Sequence, residues 1–322
     1  MKAMYRLAAT IILSSVAFAQ NAETEIALAA KSPMTLARYV ESHSKAFDWK
    51  ALWNALGTHD PNVLWPLCGE SFYSCSTEVV TVPKPEQIIL IIQSDGVRTH
   101  DIYLRYLKEK DGGWRFAGER SATLYDNFPR RHEIIRIGDK PFLKISSDLS
   151  QIGGCWEQDV EDWFDLAQPD LKPAFTFTPR GGFCWFGARV GREIRVQAIP
   201  SGSSGLETIE LRLNASFITF TGELASGVYT GIYERRLTAT TFTLRQAYSG
   251  SGRGTRIPTK EFEGLADLRG LTAEQSLVYA LPGLRKIAAG ADPEAKAWLR
   301  LVLDHTQDTP EKRSLLELLA KP

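Results

Sequence analysis

Ile194-Arg195-Val196-Gln197-Ala198, the loop Ser201-Gly202-Ser203-Ser204-Gly205 and Ile209-Glu210-Leu211-Arg212-Leu213 together decide the fold. In both flanks apolar and polar side chains alternate, so successive residues point to opposite faces of a half-buried strand. A Gly/Ser connection between two such runs reads as a hairpin. The same grammar continues through Phe217 to Leu224, Val228 to Glu234 and Thr240 to Leu244, a meander in which each strand follows its neighbour.

Upstream, Ile88-Ile89-Leu90-Ile91-Ile92 is apolar throughout and reads as a central strand buried on both faces. Ile102, Leu104 and Tyr106 alternate with Tyr103, Arg105 and Leu107, and Asp111-Gly112-Gly113 turns the chain into Trp114-Arg115-Phe116. Glu133 to Ile137 and Phe142 to Ile145 repeat that pattern across Gly138-Asp139-Lys140. Strands at this spacing without intervening helices exclude a parallel α/β sheet and point to an antiparallel one.

Both ends carry the helical period instead. Ser32-Pro33 reads as an N-cap with proline at the first helical position, and Leu36, Tyr39, Val40, His43 and Phe47 fall on one stripe. A histidine on such a stripe reads as a buried core residue rather than a ligand. Asp48 caps a second helix with Trp49, Leu52, Trp53 and Leu56 on its face and Gly57 as its stop. After the Gly-rich Ser249 to Thr255 stretch, read as a flexible linker, Thr272-Ala273-Glu274-Gln275 is a capping box, and Asp292-Pro293 and Thr309-Pro310 open two further helices.

The expected chain is therefore mainly β: an antiparallel β-sandwich or barrel-like meander with a short helical N-terminal segment and a C-terminal helical cap, α+β overall. Its parts are a signal peptide (1–19), a helical N-terminal segment with a disulfide loop (20–78), an antiparallel β domain (79–248), a Gly-rich linker (249–258) and a C-terminal helical segment (259–322).

The signal reading rests on basic Lys2 and Arg6, an apolar run from Leu7 to Val16, and Ala17-Phe18-Ala19, a pattern that a signal peptidase accepts before Gln20. The run is shorter than the roughly 20 residues of a membrane span, and no later segment comes close, so a periplasmic or secreted protein without an integral membrane segment is expected. In that compartment the four cysteines read as two disulfides closing short loops, Cys68–Cys75 and Cys155–Cys184. Their spacings lack the Cys-x2-Cys pairs and nearby histidines of a metal site, so no metal is expected. Lys and Arg total 38 against 38 Asp and Glu, and the basic residues are scattered, so nucleic acid is not an expected partner.

The most unusual composition lies between Cys155 and Trp185. Trp156, Trp163 and Trp185 stand near Glu157, Asp159, Glu161, Asp162 and Asp165. If Cys155 faces Cys184 across two antiparallel strands, Trp156 and Trp185 become diagonal neighbours about 7–8 Å apart. Indoles beside acids suit a sugar ring, which makes Trp156, Glu157, Asp162, Trp163, Asp165 and Trp185 the candidate ligand-binding set, with a glycan as partner. Glycoside hydrolysis needs two carboxylates about 5–10 Å apart. Core packing of the tryptophans with a solvated acidic turn outweighs both of these readings. A calcium loop would need a glycine that this run lacks.

Elsewhere, His100-Asp101 has no serine on a Gly-x-Ser-x-Gly turn to serve. Neither Gly-Lys-Ser/Thr nor Gly-x-Gly-x-x-Gly is present, so no cofactor is expected and no catalytic residue is assigned. Asn214-Ala215-Ser216 is a glycosylation sequon. The expected function is a noncatalytic envelope or extracellular binding or structural protein, its partner a glycan or another envelope protein. The alternative is a carbohydrate-active hydrolase using carboxylates between Glu157 and Asp165.

Overall fold

The computed structural model describes residues 23–44, 47–58, 74–83, 86–94, 98–125, 132–149, 156–185, 190–203, 205–219, 222–236, 238–250, 253–268 and 270–321. Residues 1–19, expected to be a leader, and Cys68 and Cys155 lie outside them. The chain is mainly β with two antiparallel sheets and flanking helices, the α+β class that the alternation predicts. It divides into two compact units, residues 1–130 with 165–172, and residues 131–164 with 173–322. That division runs through the stretch 79–248. Period-two alternation is the same in either sheet and does not record which strands pair.

In the first unit, β1 (Cys75–Pro83), β2 (Glu86–Ser94), β3 (Arg98–Lys108) and β4 (Trp114–Tyr125) form a meander in chain order. The β3–β4 turn forms at the predicted place: Asp111 Oδ1 accepts from the Gly113 amide at 2.9 Å, and Gly112 adopts a φ of 87°. Helices α1 (23–29), α2 (Pro33–Ser42) and α3 (Trp49–Leu56) cover one face. Leu36, Val40 and Leu52 pack with Leu90, Ile92 and Leu104 in one core.

Strand β2 is buried from Gln87 to Ser94, as its unbroken apolar run predicts. On the face of Ile89, the cross-strand partner Arg105 is 1% exposed. Its Nε donates to Gln87 Oε1 at 2.7 Å, and its terminal nitrogens donate to the carbonyls of Leu166 and Gln168 at 2.5 and 2.6 Å. Burial pulls this guanidinium down to about 10, and the charges of Asp165 and Asp170 work in the other direction. It therefore stays a cation at neutral pH, clamping segment 165–172 onto the sheet.

Two N-terminal details differ from expectation. Ser32 makes no side-chain cap bond, although Pro33 does open α2. His43 is exposed at the end of α2, where its ring stacks on Tyr39 at 4.1 Å and Nδ1 reaches the Tyr39 carbonyl at 2.9 Å. The helix ends at Ser42, which leaves His43 as its C-cap.

The second unit contains β5 (His132–Ile137), β6 (Lys140–Asp148), β7 (Trp156–Asp165), β8 (Pro173–Phe177), β9 (Arg180–Trp185), β10 (Val190–Ser203), β11 (Leu206–Thr219), β12 (Gly222–Arg236), β13 (Thr243–Ser249) and β14 (Thr255–Ile257). They form a ten-stranded sheet in the order β14-β13-β12-β11-β10-β9-β7-β6-β5, with β8 also on β7. Strand β9 pairs with Trp156 to Gln158, and β8 with Glu161 to Phe164. Between them the chain bends at Thr178-Pro179, and β8 and β9 pair with different halves of β7. Ala174 on β8 then accepts a hydrogen bond from the Phe242 amide at 3.0 Å, just before β13. The core of this unit contains Phe142, Trp163, Phe175, Leu211, Leu213 and Phe242.

The deciding hairpin has Ile194, Val196 and Ala198 opposite Ala215, Leu213 and Leu211. Pairing runs further than predicted, with Ser201 to Ser203 taken from the expected loop into β10. The Gly-rich stretch is also not a linker. Gly250 at φ 93° turns the chain, and β14 pairs back onto β13.

Helix α4 (Thr259–Ala266) lies on the inner face, where a Cβ on Gly231 would stand 2.5 Å from the Phe262 ring. Buried Arg192 fixes its end, donating to the Gly264 carbonyl at 3.1 Å and to the Asp267 carbonyl. Helices α5 (Ala273–Ala289), α6 (Pro293–Asp304) and α7 (Pro310–Leu319) begin where their caps predict. The Thr272/Gln275 capping box is closed in both directions, Asp292 accepts from the Glu294 and Ala295 amides, and Thr309 accepts from the Lys312 amide. Among the described residues no helix is long and apolar enough to cross a membrane.

Helix α5 crosses β12 at Gly283, where an added Cβ would sit 2.2 Å from the Leu224 carbonyl oxygen. Backbone cannot rotate out of the way as a side chain can. Gly283→Ala is therefore expected to lower stability by about 1–3 kcal/mol, as overpacking does, despite alanine's better helix propensity. Urea unfolding measures the change, and a stabilised variant would contradict this close approach.

Candidate functional site

The acidic run is a strand rather than a solvated turn: Trp156 to Asp165 is β7. Its acids are tolerated because each buried one finds donors on the packed elements. Glu161 takes Lys144 Nζ at 3.2 Å on one oxygen and the Trp163 indole N–H at 2.7 Å on the other. Asp162 accepts from Thr176 Oγ1 at 2.6 Å. Asp165 accepts from the Ala167 amide at 2.8 Å, and the strand ends there. Glu157 is exposed, with one oxygen 3.4 Å from Arg180.

The candidate acids Glu157, Asp162 and Asp165 do not converge. Residues 157, 159, 161 and 165 share one side of the strand, the first three spaced about 6.6 Å apart in turn, and Asp162 takes the other. At about 3.3 Å per residue, Glu157 and Asp165 lie roughly 26 Å apart along it. Trp163 is 2% exposed and packs edge-on against Phe175 and Phe177, so it belongs to the core. Trp156 and Trp185 sit on β7 and β9, but their side chains lie outside the described residues. Trp156 stands opposite Phe183, the register that a bridge between Cys155 and Cys184 requires. Cys75 is disulfide-bonded.

His100 and Asp101 are both buried on β3. As adjacent strand residues they point to opposite faces and make no His–Asp relay with each other. Among the described residues, no group of three or more His, Cys, Asp and Glu could hold a metal ion.

Among the described residues, two concavities of the second unit bear on a site. The first, about 280 Å³, is bordered by Gln158, Thr176, Thr178, Tyr233, Glu263 and Asp267. Gln158 Nε2 donates to Thr178 Oγ1 at 2.8 Å. Burial, and then the charge of Glu263, pushes the Tyr233 hydroxyl up to about 12. At neutral pH that hydroxyl is a hydrogen-bond donor and not a base, so the cavity can hold a small polar group without moving a proton.

The second is a groove of about 540 Å³ along β9 to β12, bordered by Arg180, Arg195, Gln197, Arg212, Asn214 and Val228. Arg195 stands between Arg180 and Asn214, Gln197 faces Arg212, and Asn214 faces Val228. These side chains occupy the outer face because their neighbours Ile194, Leu211 and Leu213 fill the core. Asn214, the sequon residue, is among them. The arginines look scattered along the chain, and only the strand register gathers them. The signal in the sequence is that Arg195 and Arg212 occupy the outward positions of two predicted neighbouring strands.

Compared with known proteins, the chain matches no family model, no curated sequence and no solved structure.

Proposed function

We propose that this is an exported, noncatalytic binding or structural protein of the envelope or the extracellular space. The observation that carries the noncatalytic part is that the buried acids on β7, Glu161, Asp162 and Asp165, are each held by a structural donor. A carbohydrate-active hydrolase would need two of them free and converging beside a tryptophan floor. The leader pattern of residues 1–19 supports export.

Expression with its own leader tests both parts. The mature chain is expected outside the cytoplasm, beginning at Gln20, with Cys68 joined to Cys75 and Cys155 to Cys184 by peptide mapping. On a panel of polysaccharides it is expected to bind without releasing reducing ends. An unprocessed cytoplasmic product with four free thiols would overturn export, and turnover lost in Glu161→Gln or Asp162→Asn would establish the hydrolase.

A further inference from the structure

The groove on the outer face of β9 to β12 gathers three arginines, two of them paired with carboxylates at its margin and Arg195 without an ion pair among the described residues. Arg180 and Arg195 are direct cross-strand partners, and like charges placed so oppose strand pairing. Arg212, which faces Gln197, lies on the diagonal from Arg195, a separation of about 7–8 Å in an antiparallel sheet. Three guanidinium groups thus rise from adjacent positions on three strands.

The carboxylates are at the margin. Glu157 is 3.4 Å from Arg180 and Glu210 is 2.7 Å from Arg212, while Glu193 shares the Arg195 face of β10 two residues away. The Glu157 pair joins exposed side chains and the Glu210 pair an exposed arginine to a half-buried acid, and such surface pairs hold weakly and give way to a better partner. Arg195 is exposed and has no ion-pair partner among the described residues. A guanidinium fork matches a carboxylate with two parallel hydrogen bonds, and the amides of Gln197 and Asn214 stand beside it as partners for hydroxyls.

Among the described residues the groove lining contains no aromatic side chain, and so no stacking platform of a single-stranded nucleic-acid site. The balanced total of basic and acidic residues lacks the footprint of a duplex binder. Carboxylates spaced along a hydroxyl-rich chain fit both the arginines and the amides.

We infer that this groove binds an acidic polysaccharide through the carboxylates of its uronic acid units. Arg195 is the central anchor, Arg180 and Arg212 flank it, and Gln197 and Asn214 bond to neighbouring hydroxyls. The assignment rests on the binding-protein reading and names its ligand class.

Titration calorimetry of the mature chain with oligogalacturonate, beside a neutral dextran oligosaccharide, tests it. Binding is expected for the uronate alone and weakens as salt is raised. Arg195→Gln lowers the affinity at least tenfold, Arg180→Gln and Arg212→Gln lower it less, and all three melt like the wild type. Glu210→Gln, which removes the acid holding Arg212, tightens binding, a change that a merely structural role would not produce. Equal binding of uronate and dextran, or unchanged affinity in Arg195→Gln, would overturn the groove assignment and leave the binding reading standing. Binding to phospholipid vesicles or a DNA oligonucleotide in place of the uronate would overturn it as well. Cleavage of the oligosaccharide would overturn the noncatalytic reading, and the arginine variants would still decide the groove.

Discussion

Trp163→Ala is expected to cost about 3–5 kcal/mol of stability, the range for truncating a buried large aromatic. The indole is 2% exposed and touches Phe175 and Phe177 with ring centroids 5.7 and 6.0 Å away. Its N–H also fills one oxygen of Glu161, whose other oxygen is held by Lys144. Alanine therefore opens a cavity and strips a buried carboxylate of a donor. Trp163→Phe separates the two effects: it keeps most of the ring packing, so its loss should stay near the about 1–3 kcal/mol of an unsatisfied buried group. A domain with only about 5–15 kcal/mol in total tolerates the second change better than the first. Urea unfolding of both variants measures this. An alanine variant within about 0.5 kcal/mol of wild type, as at surface sites, would return Trp163 to the ligand-facing set.

The legible parts of the fold are those whose signal is local. Ile88 to Ile92 announces a doubly covered strand because nothing in it is polar, and Asp111-Gly112-Gly113 and the Thr272/Gln275 box each close within a few residues. Burial of the acids on β7 was not legible, because tolerance of Glu161 and Asp162 depends on Lys144 and Thr176, which arrive from β6 and β8. An acidic run without those partners would indeed be a solvated turn. The bend at Thr178-Pro179, which sends β8 and β9 to different halves of β7, likewise follows from what each half pairs with. Arg180, Arg195 and Arg212 become one surface only when the β9–β10–β11 register is known. Pairing partners are the information that period-two alternation omits.

The same dependence on pairing yields the other large effect, at Glu207. This residue is the cross-strand partner of Arg235, and both side chains are almost fully buried, at 4% and 0% exposure. Two guanidinium nitrogens converge on Glu207 Oε2 at 2.6 and 2.5 Å, and Lys140 Nζ meets Oε1 at 3.1 Å. The guanidinium also stands 4.9 Å from the ring centroids of both Phe142 and Phe242, so it fills space in the aromatic core as well as carrying charge. Lys140 is a quarter exposed and can turn its ammonium to water if the carboxylate is lost. Arg235 has no such exit. Glu207→Gln keeps the shape and removes the charge, and it is expected to cost about 3–5 kcal/mol, the loss when one partner of a buried pair is removed. Replacing both residues, as in Glu207→Gln with Arg235→Met, removes the stranded cation and retains a long apolar side chain between the phenylalanines. The double variant should therefore be more stable than Glu207→Gln alone, a strongly non-additive cycle. Equal or greater destabilisation in the double variant would mean that Arg235 stabilises the unit by packing against the two rings and that its charge is satisfied without Glu207.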